Sequence, residues 1–163
     1  MFSRGEHNLD SGAIYRMLMA RGQTNDARAD FIWKTPAPPR VQLFICLLLQ
    51  RRIQCRSILF KKHIVDNLSC EICQTAEESP EHIMWGCDLG KQVWSKLGIV
   101  FLQDSDVSAL YSISPPTGVP LDLFPTFIVL VCWQIWKARN AKIFSNETQT
   151  LAQVLTLCKL AAL

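Results

Sequence analysis

Acidic residues are missing from one long stretch of this chain. Between positions 33 and 65 there is no Asp or Glu, while Lys34, Arg40, Arg51, Arg52, Arg56, Lys61 and Lys62 stand there. The next stretch lacks the opposite sign. Positions 66 to 88 hold Asp66, Glu71, Glu77, Glu78, Glu81 and Asp88 and no Lys or Arg. The reversal predicts a basic face beside an acidic loop. The plainer reading is a set of solvated helix faces. Net charge, at +3, is too small to argue for nucleic acid by itself. Charge of either sign is scarce, at 19% of residues against 49% hydrophobic, where average domains carry about 25% charged residues. That balance excludes disorder over most of the chain. It also leaves apolar surface for a partner or a neighbouring domain to cover.

Other absences narrow the function. The strongest apolar runs, 41–49 and 124–136, are shorter than the ~20 residues that span a bilayer, so no membrane association is expected. The first ten residues, MFSRGEHNLD, are polar and form no secretory signal. The expectation is an intracellular protein, nuclear or cytoplasmic and not secreted, in which cysteines are metal ligands or core residues. There is no phosphate-cradling glycine loop, no nucleophile elbow, no His-Glu-x-x-His and no internal repeat. The acids crowd one loop, where a solvated role is expected rather than two-metal chemistry. No self-sufficient enzyme is expected.

Alternating apolar segments are also few, and the fold class expected is mainly α. Asp10 and Ser11 can cap a first helix carrying Ile14, Tyr15, Leu18 and Met19, with Gly22 as its stop. A short segment from Ala27 carries Phe31, Ile32 and Trp33. Thr35-Pro36-Ala37-Pro38-Pro39 then interrupts any helix, and Pro39 suits the first position of the next one. That next helix, over about 40–50, is apolar almost all round and should be central to the core. A basic helix over about 56–63 would turn Ile58, Leu59 and Ile64 inward and Arg56, Lys61 and Lys62 outward. Ser79-Pro80-Glu81 reads as an N-cap, a first-turn proline and a first-turn acid, placing His82 in the first turn of a short helix. A further helix carries Val93, Trp94 and Leu97 and ends near Gly98. Ser114-Pro115-Pro116-Thr117-Gly118 is a break. A long helix over about 124–144 and a last one over about 149–160 follow.

One constellation carries chemistry: Cys70-x2-Cys73-x8-His82-x4-Cys87. A Cys-x2-Cys turn presents two thiolates to one side of an ion, and a second pair can close the tetrahedron. Three Cys and one His leave no open position, which marks a structural zinc rather than a catalytic one. Cys46, Cys55, Cys132 and Cys158 sit in apolar patterns and are expected to pack in the core. His7 falls in a tail, and His63 is a fifth candidate ligand whose plainer reading is a solvated residue. Of the tryptophans 33, 85, 94, 133 and 136, most should pack in the core. Trp85, inside the metal loop, is the one most interesting for base stacking.

The residues Phe31-Ile32-Trp33-Lys34, Pro38-Pro39-Arg40-Val41-Gln42-Leu43-Phe44, Arg51-Arg52-Ile53, Cys70-Glu71-Ile72-Cys73, Glu78, His82-Ile83-Met84-Trp85-Gly86-Cys87 and Val93-Trp94 together resemble the reverse transcriptase zinc-binding domain. That family sits downstream of the polymerase in plant non-LTR retrotransposons. The stretch Trp133-Gln134-Ile135-Trp136-Lys137-Ala138-Arg139-Asn140-Ala141-Lys142-Ile143-Phe144 is similar to the region that follows the domain. The resemblance implies one zinc held by Cys70, Cys73, His82 and Cys87, and an accessory nucleic-acid-binding role. Two departures stand out: Cys46 replaces a usual Trp, and Cys55 replaces the Thr usual before the basic helix, weakening its cap. The family's polymerase motif, Tyr-x-Asp-Asp, is not in this sequence, so the chain resembles a detached fragment of a mobile-element polyprotein.

The organisation expected is a zinc-binding-domain-like unit over 11–98, a linker over 99–122 and a helical extension over 123–163. The zinc-bound loop has room for one short hairpin. The function expected is binding of RNA or DNA, with Arg40, Arg51, Arg52, Arg56, Lys61 and Lys62 contacting phosphates. The rival is a protein-interaction remnant that uses zinc only to fold.

Overall fold

The computed structural model describes residues 27–102 and 105–161. The first expected helix and His7 lie outside them. Helix α1, Ala27–Trp33, buries Phe31 and Ile32. The proline stretch follows, and Pro39 opens α2, Pro39–Leu49, at its first turn. Its ring needs no hydrogen-bond partner there and its φ already suits a helix. Val41, Phe44, Ile45, Leu48 and Leu49 are buried, but Leu43 is 57% exposed. The helix is therefore central without being covered on every side.

Helix α3, Arg56–Lys61, is shorter than expected. His63 has φ 56°, which ends the turn beyond it. Ile58 and Leu59 are half-buried, whereas Ile64, expected inward, lies beyond that reversal and is 64% exposed. A π turn, His82–Gly86, and α4, Asp88–Lys96, come next, then a 3₁₀ turn, Val107–Tyr111. The long helix α5, Phe124–Ser145, ends on Asn146 in the left-handed conformation, a regular helix stop. Helix α6, Leu151–Ala161, packs against α5. Among the described residues there is no strand. The expected hairpin reduces to a single antiparallel bridge between Ser69 and Glu77.

One core draws on every helix, on α3 only through half-buried Ile58, and on the π and 3₁₀ turns. Helix α5 is its axis: it packs on α2, on the π turn and on α6. Phe44 sits between Trp133 at 5.3 Å and Trp136 at 5.7 Å, separations at which aromatic pairs attract beyond their buried area. Cys55, Cys132 and Cys158 are buried and Cys46 half-buried, and all seven thiols are free. Burial raises the thiols of Cys132 and, to about 11, Cys158, which keeps them unreactive. Trp33 departs from the core expectation, at 55% exposed. No helix among the described residues is long and apolar enough to cross a membrane.

Candidate metal centre

Three local devices build the centre. The first is the turn at 70–74. The Gln74 amide donates to the Cys70 carbonyl at 2.8 Å, and the Ile72 amide reaches the Cys70 Sγ at 3.4 Å. Gln74 takes φ 55° to let the chain reverse. The Cys70 amide then donates to the Ala76 carbonyl at 2.9 Å, beside the Ser69–Glu77 bridge. Both thiols of the Cys-x2-Cys pair are thereby carried on one tight knuckle.

The second device is the cap. Ser79 Oγ accepts from the His82 amide at 3.1 Å, so Ser79 caps the turn as expected. The third is the π turn itself, which departs from the regular helix expected there. In an α-helix, residues five apart point about 140° away from each other. Here the Cys87 amide donates to the His82 carbonyl at 2.6 Å. This i→i+5 closure widens the turn and brings the fifth residue back under the first. His82 and Cys87 therefore face the same point. Cys87 is also the N-cap of α4, where the helix dipole favours a thiolate.

The Cys70, Cys73, His82 and Cys87 ligand atoms all lie within 4.8 Å of one another. The two Sγ atoms of Cys70 and Cys87 are 3.9 Å apart, and Cys73 Sγ is 3.4 Å from His82 Nε2. A tetrahedral zinc at its ordinary bond lengths would set sulfur pairs about 3.8 Å apart and a sulfur–nitrogen pair about 3.6 Å apart. The donor set thus fits zinc in chemistry and in spacing. His63, the fifth candidate, is exposed and outside the cluster.

Without metal the four groups share protons. A hydrogen bond from the Cys87 thiol, against the opposing effect of burial, lowers Cys70 to about 3, with help from His82 and the Cys73 and Ile72 amides. The same bond, with burial, pushes Cys87 up. Burial alone would raise Cys73, but hydrogen bonds from the Thr75 side chain and backbone hold it below the ordinary thiol range. The hydrogen bond to Cys70 raises His82, against burial. A site that gathers thiolates in this way is ready for a cation.

Trp85, Met84 and Ile83 are buried behind the π turn. Trp85 stacks on Phe101 at 4.5 Å and is only 4% exposed, so it is not presented for base stacking. Helix α4 lies unusually close to the turn. Trp94 Nε1 donates to the Met84 carbonyl at 2.8 Å, and a Cβ on Gly90 would meet that same oxygen at 2.3 Å. Only glycine fits this approach.

The acids beside the loop are less solvated than expected. Arg56 pairs with Glu71, and Arg51 pairs with Glu81 at 2.8 Å and Asp106 at 3.2 Å. Two of the six candidate phosphate-binding residues are thus turned toward carboxylates. Arg40, Arg52, Lys61 and Lys62 are exposed. Glu78 is wholly buried, with Arg139 of α5, itself 3% exposed, as its counter-ion. From the sequence Glu78 is expected to be solvated, and Arg139 enters only in the stretch similar to the region after the domain. A signal for Arg139 existed: it follows Ile128, Cys132 and Ile135 at helical spacing, and a charge in an apolar stripe implies a buried partner.

A closed Cys3His set on a helical scaffold, with every ligand supplied by one loop and one turn, defines a structural zinc module. A family model described as zinc-binding in reverse transcriptase matches residues 10–94, just over half of the chain, and the chain belongs to that family. No curated protein and no solved structure matches it.

Proposed function

We propose that this protein is a non-catalytic module of retrotransposon origin, in which structural zinc holds a loop in shape beside a basic surface that binds nucleic acid. The observation that carries the reading is the set of exposed cations Arg40, Arg52, Lys61 and Lys62, none of which is ion-paired with a described residue. They fall in the segment that has no acidic residue. Lys62 Nζ donates to Gln54 at 3.1 Å, which brings the end of α3 beside the connector that carries Arg52. Fluorescence anisotropy with single-stranded RNA and duplex DNA, across a salt series, tests the reading. Each phosphate contact should contribute about 0.7–0.9 to the slope of log K against log salt. The triple variant Arg52→Ala/Lys61→Ala/Lys62→Ala should flatten that slope by about 2–3. Binding that ignores salt, or a variant with the wild-type slope, would remove the basic surface from the account.

Exposed Leu43, Ile64, Val100, Leu102 and Phe144 favour a second reading, in which the module binds another protein through apolar surface. Self-association by the zinc-loaded chain, relieved by a partner and indifferent to RNA, would favour it over the first.

A further inference from the structure

Glu78 lies between the two halves of the metal site, five residues after Cys73 and four before His82. All of its polar groups are engaged. Its amide donates to the Leu68 carbonyl at 2.8 Å, and its carbonyl accepts from the Ser57 amide at 3.1 Å. Its Oε1 accepts from the Arg56 amide at 2.9 Å and from Arg139 Nη2, and its Oε2 accepts from Arg139 Nε at 3.1 Å. Cys55, the N-cap of α3, makes no capping bond, so Glu78 takes the amide donors that the cap leaves open. Arg139 is fixed in turn: Nη1 donates to Asn140 Oδ1 at 3.0 Å, and the guanidinium lies 5.0 Å from the Trp136 ring centroid.

We propose that Arg139 is a positioning residue of the zinc site: through Glu78 it locks both arms of the metal loop onto α5. Leu68 stands two residues before Cys70, and Ser79, next to Glu78, caps the turn that aims His82. The two-pronged guanidinium fork holds the carboxylate in one orientation, as a lysine's single point of charge would not. Because Glu78 is fully buried, a loop that loses Arg139 must move to hydrate the carboxylate, and it carries the ligands with it. Arg139 lies outside the residues matched by the family model, so the metal site depends on a helix beyond them. This inference rests on the zinc reading and not on nucleic-acid binding.

The test is zinc affinity measured by chelator competition on the full chain. Arg139→Gln is compared with Ile128→Ala, a buried α5 truncation outside the clamp. Outer positioning partners typically contribute 10–100-fold to metal affinity. Arg139→Gln should weaken zinc by at least about tenfold more than Ile128→Ala does, and should alter the visible absorption of the cobalt-substituted site. Equal losses in the two variants, with an unchanged cobalt spectrum, would overturn the proposal. Should Arg139→Gln fail to fold even with excess zinc, hydrogen exchange on the wild type decides. On zinc removal, α5 amides around 137–141 should lose protection with the metal loop while those around 128–133 keep theirs. Uniform loss along α5, or none at 137–141, would overturn it equally.

Discussion

Replacing Gly90 by alanine tests the packing of the metal turn through the sign of its effect. In an unobstructed helix interior this change stabilises by about 1 kcal/mol, because alanine loses less backbone freedom on folding. Gly90 is buried in α4, and its added Cβ would lie 2.3 Å from the Met84 carbonyl oxygen, 2.8 Å from its carbon and 3.1 Å from the Ile83 carbonyl oxygen. All three are backbone atoms, so no side chain can swing aside. Ordinary contact begins at 3.4 Å, so α4 must retreat by roughly 1 Å. Overpacking of this kind costs about 1–3 kcal/mol. The retreat also stretches the Trp94–Met84 hydrogen bond, and a buried group left unpaired costs a further ~1–3 kcal/mol. After the gain in propensity the net loss is about 1–5 kcal/mol, against the ~5–15 kcal/mol that holds a domain together. Urea denaturation of the zinc-saturated protein is the assay. With slopes of about 1–3 kcal/mol per molar urea, the midpoint should fall, by about 1.5 M at the centre of these ranges. An unchanged or raised midpoint would refute the close approach of α4 to the π turn.

Two further outcomes follow from the metal loop. Gln74 holds φ 55°, which a side chain disfavours by about 1–2 kcal/mol; Gln74→Gly should raise the stability of the zinc-loaded protein to urea by about 1 kcal/mol, and a loss would mean that its side chain makes a needed contact. Zinc binding should weaken on acidification. Zinc takes the unprotonated forms, while Cys87 and His82 both have raised pKa values in the metal-free site, so zinc must displace their protons. The affinity should fall about tenfold per pH unit where one proton is displaced and about a hundredfold where both are. Competition titrations between pH 8 and 6 would check this, and a flat profile would contradict it.

The zinc ligands were legible in the sequence because their spacing is itself the chemistry: a knuckle pair and a second pair at short range. Helix α5 was legible as well, since Pro125 starts a long apolar run that only a helix of that length can bury. The π turn was not, because the Ser79-Pro80-Glu81 start is common to α and π geometry. The difference lies in where Cys87 must point, and only the ion site decides that. Glu78 was read as solvated because glutamate usually is. Its burial depends on an arginine 61 residues away, a distance that local pattern cannot bridge. Ile64 was misplaced for a local reason: the left-handed turn at His63 ends the helical register that would have carried it inward.

One zinc, bound by Cys70, Cys73, His82 and Cys87, holds the metal loop of this fold in shape. Native mass spectrometry of the purified protein beside Cys73→Ser measures it directly. One zinc per wild-type chain and none in the variant is expected, with the order of the metal loop lost alongside the metal while the α5 core around 128–133 keeps its protection. A wild-type chain that is folded and carries no zinc would contradict it.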